Sequence, residues 1–139
     1  DRRGDVALSR YCLDTSAYSH LRRGDPRAIQ LVDAAEWIGL PSITMGELRV
    51  GFRQGSREAE NESRLQDFLS HPSVEEVTVD SDVSSHYAGI VTDLLAAGTP
   101  LPANDIWIAA CSARHGALVL TYDRHFEKIV RVGALILGG

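Results

Sequence analysis

Hydrophobic and polar positions follow two alternating patterns along the chain. Short apolar runs, which are typical of strands, occur at 11–14, 37–40, 117–120 and 134–137, and a run with alternating valines occurs at 74–79. The segments between them carry apolar residues every three or four positions, as helices that pack one face on a sheet do. Strands and helices therefore alternate throughout, which predicts an α/β fold with a parallel sheet covered by helices on both faces.

The predicted helices are bounded by residues that favour helix ends. Thr15 or Ser16 is expected to cap a helix after the first strand, because a small hydroxyl side chain accepts from the first N–H groups of a helix. Further helices are predicted over 25–35, from Ser42 or Thr44 to Gly55, over 57–71, over 83–98, from Asn104-Asp105 onward, and briefly around Phe126. Two acidic residues, Glu75 and Glu76, place the 74–79 strand at a sheet edge.

Length and composition indicate a single domain. The chain has 139 residues, of which 44% are hydrophobic, and it lacks an apolar run of about 20 residues that could span a membrane. Residues 1–7 are polar and unlike a signal peptide, so we expect a cytoplasmic protein with one domain over 1–139. The widely separated Cys12 and Cys111 are predicted to be core residues rather than a disulfide or zinc ligands.

Four acidic residues stand at positions where chemistry is expected. Asp14 and Asp123 end predicted strands, Asp105 opens a predicted helix, and Glu47 lies on a partly apolar helix face. Ligands bind at the carboxyl ends of parallel strands, so the four carboxylates are predicted to converge there. Each also has an ordinary alternative: Asp14 and Asp123 as cap or turn residues, Asp105 as a complement to a helix N-terminus, and Glu47 as an arginine partner.

Convergence of these acids has an electrostatic consequence. At about 6 Å and an effective dielectric near 20, each pair of like charges repels by roughly 3 kcal/mol. Such a cluster must take up protons or bind a cation, and oxygen ligands alone favour Mg²⁺ or Mn²⁺. The formal net charge of -5 argues against a nucleic-acid partner only if the acids are spread over the surface.

The histidines are not spaced as metal ligands on one helix face would be, and the tryptophans suggest packing rather than base stacking. Trp37 and Trp107 are predicted to pack in the core, and the histidines to lie at the surface. His125 is set apart, because it follows Asp123 by two residues.

Four short motifs follow one another along the chain: Leu13-Asp14-Thr15-Ser16, Gly46-Glu47-Leu48 with Gly51, Asn104-Asp105 before Ile108-Ala109-Ala110, and Thr121-Tyr122-Asp123 before His125-Phe126. With these motifs the chain resembles PIN-domain proteins, and among them the VapC toxins of bacterial toxin–antitoxin pairs. The resemblance implies a three-layer α/β/α fold with a five-stranded parallel sheet and Mg²⁺- or Mn²⁺-dependent endoribonuclease activity. It also implies a homodimer, an RNA substrate and inhibition by a cognate antitoxin.

The resemblance also implies a role for each motif residue. The acidic site falls on Asp14, Glu47, Asp105 and Asp123, with Thr15, Ser16, Asn104 and Thr121 as supporting polar groups. Our hypothesis is that the three aspartates hold the metal and that Glu47 binds it through water or orients the attacking water. Four arginines are candidates for guiding the RNA backbone, which would make binding weaken with salt: Arg22, Arg23, Arg49 and Arg53.

Two alternatives stay open. A response-regulator receiver domain also gathers acids at strand ends, but Val79-Asp80 matches its third strand poorly and no Lys follows the last strand. A non-catalytic binding module of the same fold would engage a protein partner, and the intact acids argue against it.

Overall fold

The computed structural model describes residues 9–138, so the polar segment 1–7 lies outside the described residues. Five strands form one sheet: β1 (Arg10–Leu13), β2 (Trp37–Pro41), β3 (Val74–Val77), β4 (Leu118–Thr121) and β5 (Ala134–Ile136). All neighbouring pairs are parallel, in the order β3-β2-β1-β4-β5. The predicted sheet and the edge position of β3 are confirmed. A single domain over 1–139 stays a prediction.

Six α-helices connect the strands within the described residues. They are α1 (Thr15–Arg22), α2 (Pro26–Ala34), α3 (Ser42–Gln54), α4 (Glu58–Leu69), α5 (Ser81–Ala97) and α6 (Ala103–Arg114), and a 3₁₀ helix covers Arg124–Lys128. Each α-helix lies within one or two residues of its predicted position. Across residues 9–138, every helix is too short or too polar to cross a bilayer.

Two hydrophobic cores lie on opposite faces of the sheet, which gives the three layers. Successive residues of a strand point to opposite faces, so Cys12 packs in one core while its neighbour Leu13 packs in the other. Residues of α5 and α6, such as Ile90 and Ile108, fill the first core. Residues of α1 to α4 fill the second, including Tyr18, Ala28, Leu48 and Leu65.

The start of α1 differs from the prediction. β1 ends at Leu13, and Asp14 itself caps α1 by accepting from the backbone N–H of Ala17. The expectation that Thr15 or Ser16 caps this helix is therefore wrong. An aspartate carboxylate caps as well as a hydroxyl, and here it is the residue with extended backbone between strand and helix. The short helix predicted around Phe126 is a 3₁₀ helix over Arg124–Lys128.

The connections define a crevice between β1 and β4. The chain passes from β1 outward through β2 to β3, and it then returns to the other side of β1 as β4 and β5. Such a reversal of strand order separates the loops at the carboxyl ends of the two central strands, and open α/β sheets bind ligands there. Asp14 follows β1 and Asp123 follows β4, so both flank this crevice.

An aromatic cluster packs at the start of β2, at the end of the strand away from the crevice. The Trp37 ring stacks on His115, lies under the guanidinium of Arg10 and donates from Nε1 to Glu75. Its ring also covers Gly39, where a Cβ would lie 2.4 Å from the Trp37 Cη2 atom and 2.9 Å from Cys12 Sγ. Only glycine fits at this position unless the tryptophan moves.

We therefore expect Gly39→Ala to destabilise the protein by about 1–3 kcal/mol, because overpacking displaces Trp37 or Cys12. Gly51→Ala, in α3, is the matched control, because an added Cβ there meets no atom of the described residues within 4 Å apart from its chain neighbours and the backbone of its own helix. It should stabilise by up to about 1 kcal/mol through helix propensity. Urea unfolding of both variants checks this, and equal stabilities would contradict it.

Candidate metal centre

Asp14 lies at the centre of the crevice and is almost fully buried, with 5% of its surface exposed. Its Oδ1 accepts from the backbone N–H of Ala17 at 2.9 Å and from the hydroxyl of Ser16 at 2.7 Å. Its Oδ2 accepts from the hydroxyl of Thr121. Burial raises the pKa of Asp14 above its ordinary value in spite of these three bonds, and the nearby charge of Asp123 raises it further.

The Thr121 hydroxyl couples two of the acids. It is fully buried, donates to Asp14, and accepts from the backbone N–H of Asp123 at 2.9 Å. The Ser16 hydroxyl makes a parallel connection, because it donates to Asp14 and accepts from the backbone N–H of Tyr122 at 2.9 Å. The ends of β1 and β4 are thus joined through two side-chain hydroxyls.

Glu47 reaches the same edge from α3. Its Oε1 accepts from the hydroxyl of Thr15, and its Oε2 accepts from the side-chain amide of Asn104 at 3.1 Å. These donors stand at the first residues of α1 and α6, so Glu47 touches the starts of two other helices. Its hydrogen-bond partners are therefore a threonine and an asparagine rather than an arginine.

Asp105, Asp123 and His125 form a compact group beside Asp14. One ligand atom from each lies within 4.8 Å of the other two. His125 Nδ1 is 3.2 Å from Asp123 Oδ2 and 3.5 Å from Asp105 Oδ2. Asp123 also accepts at Oδ1 from the backbone N–H of His125 at 2.9 Å, so it acts as a turn residue as well.

The electrostatics of this group favour a cation. Burial raises the pKa of Asp105, the charges of Asp123 and Glu47 raise it further, and His125 opposes the shift. Neighbouring negative charges that raise the pKa of Asp105 also favour a cation placed between these carboxylates. The donor set, mostly carboxylate oxygens, fits a hard divalent ion. The structure thus brings all four predicted acids to one edge of the sheet.

The candidate arginines divide into two pairs. On α3, Arg49 donates twice to Glu62 at 2.8 and 3.0 Å, a contact that lowers the pKa of Glu62 to about 2. Arg53 lies 3.4 Å from the carboxylate of Glu58.

Arg22 and Arg23, on the last turn of α1, have no carboxylate within 4 Å among residues 9–138. The Arg22 guanidinium lies over the ring of Tyr18, and an Arg23 nitrogen lies 3.4 Å from His20. Both arginines are exposed and line a groove of about 320 Å³ with an apolar floor that includes Leu48 and Phe52.

Sequence reasoning missed one support of the site. The Tyr122 ring stacks on His20 at 3.6 Å between centroids, and its hydroxyl donates to Asp25 at 2.7 Å. His20 in turn lies 2.9 Å from the carbonyl oxygen of Ser16. These contacts hold the 121–123 turn against α1. The i, i+4 spacing of Ser16 and His20 was the available signal, but the contact with Tyr122 requires the fold.

A parallel sheet that gathers Asp14, Glu47, Asp105 and Asp123 at its crevice defines an α/β protein with an acidic site whose donor set suits a cation. A family model described as PIN domain matches residues 11–132. Ribonuclease VapC4 of Mycobacterium tuberculosis is 37% identical over 102 residues, which cover 73% of this chain and 78% of that protein. The chain therefore belongs to the PIN domain family and, within it, to the VapC ribonucleases.

Solved structures agree with the fold. VapBC2 from Rickettsia felis, bound to a DNA fragment from its promoter, superposes with a TM-score of 0.78 at 23% identity and covers 91% of this chain and 98% of that chain. VapBC-5 from Mycobacterium tuberculosis superposes with a TM-score of 0.68 at 25% identity and covers 94% of this chain and 99% of that chain. The α/β/α fold is thus confirmed independently of the site.

We expect Thr121→Val to destabilise the metal-free protein by about 1–3 kcal/mol, because the buried Asp14 carboxylate loses the donor at its Oδ2 and the Asp123 N–H loses its acceptor. Thr92→Val, where the hydroxyl only returns to carbonyls of its own helix at an exposed position, is the control and should change stability by less than about 0.5 kcal/mol. Chemical unfolding with a chelator present measures both, and similar losses would contradict the assigned role of Thr121.

Proposed function

We propose that this chain is a Mg²⁺- or Mn²⁺-dependent endoribonuclease that acts as the toxin of a bacterial toxin–antitoxin pair. The observation that carries the proposal is a buried aspartate that is hydrogen-bonded to both sides of a crevice where three further carboxylates meet. The curated relatives of this chain are named ribonucleases, and the solved relatives are VapBC assemblies. The site supplies what phosphodiester hydrolysis needs, since anionic oxygens are gathered and held in place before substrate arrives.

The residues that would hold the ion are Asp14, Asp105 and Asp123. Oδ2 of Asp14 accepts one described hydrogen bond and keeps a further lone pair. Asp105 and Asp123 are partly exposed, at 19% and 41% of their side chains, and are therefore accessible from solvent. A divalent ion bound there supplies Lewis acidity, which lowers the pKa of water and stabilises charge on the scissile phosphate.

Glu47 is the residue that we assign to the attacking water. Its two oxygens are oriented by Thr15 and Asn104, and neither donor neutralises its charge. An oriented carboxylate beside the other acids can align a water molecule and accept its proton in the transition state. Thr15, Ser16, Asn104 and Thr121 then serve as positioning groups, because each fixes a carboxylate through a hydrogen bond.

RNA is the substrate class that we propose, with the backbone guided by basic residues. Arg22 and Arg23 are the stronger candidates, because Arg49 and Arg53 already have carboxylate partners on α4. An anionic site needs such cations nearby, since the substrate must approach several carboxylates against electrostatic repulsion.

The proposed protein partners are a cognate antitoxin and a second copy of the chain. The solved VapBC assemblies that share the fold support the antitoxin. For the homodimer, α5 offers Leu95, which is 70% exposed and lines an apolar groove with Val91 and Leu101. Exposed apolar surface of this kind favours association.

A non-catalytic module remains the competing function, and Asp14→Asn separates the two. We expect the purified protein to cleave a panel of structured RNAs with Mg²⁺ or Mn²⁺ and to stop with EDTA. Asp14→Asn should reduce the rate at least about 100-fold, because it removes a charged ligand. Its fold should persist, since the asparagine oxygen can still accept from Ala17.

Asp67→Asn, at an exposed position on α4, is the matched control and should cleave at the wild-type rate. Circular dichroism verifies that both variants are folded. Full cleavage by Asp14→Asn, or cleavage that persists in EDTA, would refute the assigned site.

The role of the arginines is tested by salt dependence. We expect the Arg22→Gln, Arg23→Gln double variant to bind RNA more weakly. The magnitude of its slope of log affinity against log salt should fall by about 1.4–1.8, because each of the two phosphate contacts contributes about 0.7–0.9 through counterion release. Arg114→Gln removes an arginine paired with Asp82 at the end of α6 and should leave the slope unchanged. Equal slopes in all three proteins would contradict the assignment.

A further inference from the structure

His125 belongs to the metal centre by position, although the carboxylates alone account for the family site. Its Nδ1 faces two of the proposed ligands, at 3.2 Å from Asp123 Oδ2 and 3.5 Å from Asp105 Oδ2. The three donor atoms all lie within 4.8 Å of one another, a spacing at which donors can share one ion. Two oxygens and one nitrogen thus lie close enough together to bind one ion.

The backbone fixes this position of the ring. The N–H of His125 bonds to Oδ1 of Asp123 at the start of the 3₁₀ helix. The next residue, Phe126, is buried in the core with 1% exposure and anchors the helix to the sheet. The imidazole therefore lies beside the carboxylate of Asp123, which caps the 3₁₀ helix. The His125 side chain is 49% exposed.

We propose that His125 is a nitrogen ligand of the centre and that it makes the site prefer Mn²⁺ to Mg²⁺. The inference rests on the proposed metal site and deepens it. Mg²⁺ is a hard ion that holds its waters strongly and selects oxygen donors. Imidazole is a softer donor, and first-row transition ions such as Mn²⁺ accept it more readily. A mixed oxygen and nitrogen set therefore favours Mn²⁺ relative to an all-carboxylate set.

A purely electrostatic role makes the opposite prediction. If the imidazole only forms an ion pair with Asp105 and Asp123, it competes with any cation for the same oxygens. Its removal would then raise the affinity for Mg²⁺ and Mn²⁺ alike or leave both unchanged. A ligand role predicts a loss that is confined to Mn²⁺.

The experiment measures metal binding directly on the full chain after metal removal. Mn²⁺ affinity is read from the electron paramagnetic resonance signal of free Mn²⁺, and Mg²⁺ affinity from its competition with Mn²⁺. The proteins are wild type, His125→Gln, and His71→Gln, an exposed histidine beyond the end of α4, as the matched control. Asp105→Asn, which removes a proposed ligand, establishes that the ion measured is the one at this centre.

We expect His125→Gln to weaken Mn²⁺ binding about tenfold or more and Mg²⁺ binding less than about threefold, with His71→Gln unchanged. Pulsed electron paramagnetic resonance should detect ¹⁴N coupling to bound Mn²⁺ in wild type and lose it in His125→Gln. Mn²⁺ binding without nitrogen coupling, or equal changes for both ions, would overturn the role of His125 and leave the proposed function standing. Binding of neither ion by wild type would overturn both.

Discussion

The structure depends on burying the carboxylate of Asp14 between β1 and β4. Removing such a group from water costs several kcal/mol unless donors replace the lost hydration. Here the donors come from the first turn of α1 and from Thr121 at the end of β4. The strand ends must therefore stand in register, and the residues around the crevice are placed by the same contacts that solvate the charge. Fold and site share one set of hydrogen bonds.

The other acids add repulsion to this arrangement. Asp105 has a raised pKa for the same reason as Asp14, burial first and neighbouring carboxylates second. Such a centre is less stable without a cation than with one, and any ion that binds only the folded state stabilises it by mass action. The proposed metal site would thus couple folding to metal binding. The hydroxyls of Thr15, Ser16 and Thr121 hold the carboxylates in place through hydrogen bonds.

The periodic pattern was sufficient to predict the sheet, its edge strand and the convergence of the acids, because hydrophobic spacing reflects which face is buried. It was insufficient for the start of α1, since Asp14 both ends the strand and caps the helix. The pairing of Arg49 with Glu62 joins two helices across a turn, and the stack of Tyr122 on His20 joins residues distant in sequence. Contacts of that kind follow from the three-dimensional path, which residue spacing does not specify.

The positions of the protein's own arginines explain why the crevice carboxylates are free to bind an ion. Within residues 9–138, carboxylates outside the crevice pair with these arginines: Arg49, Arg53, Arg64, Arg114 and Arg131. None of the four crevice acids has an arginine or lysine nitrogen within 4 Å in that part of the chain, and the basic group beside them is His125. A guanidinium would occupy the carboxylates permanently and satisfy them bidentately. An imidazole instead presents a single nitrogen, which can join them in binding an ion. These contacts leave the crevice acids without an arginine or lysine partner among residues 9–138, so the site stays anionic at this edge of the sheet.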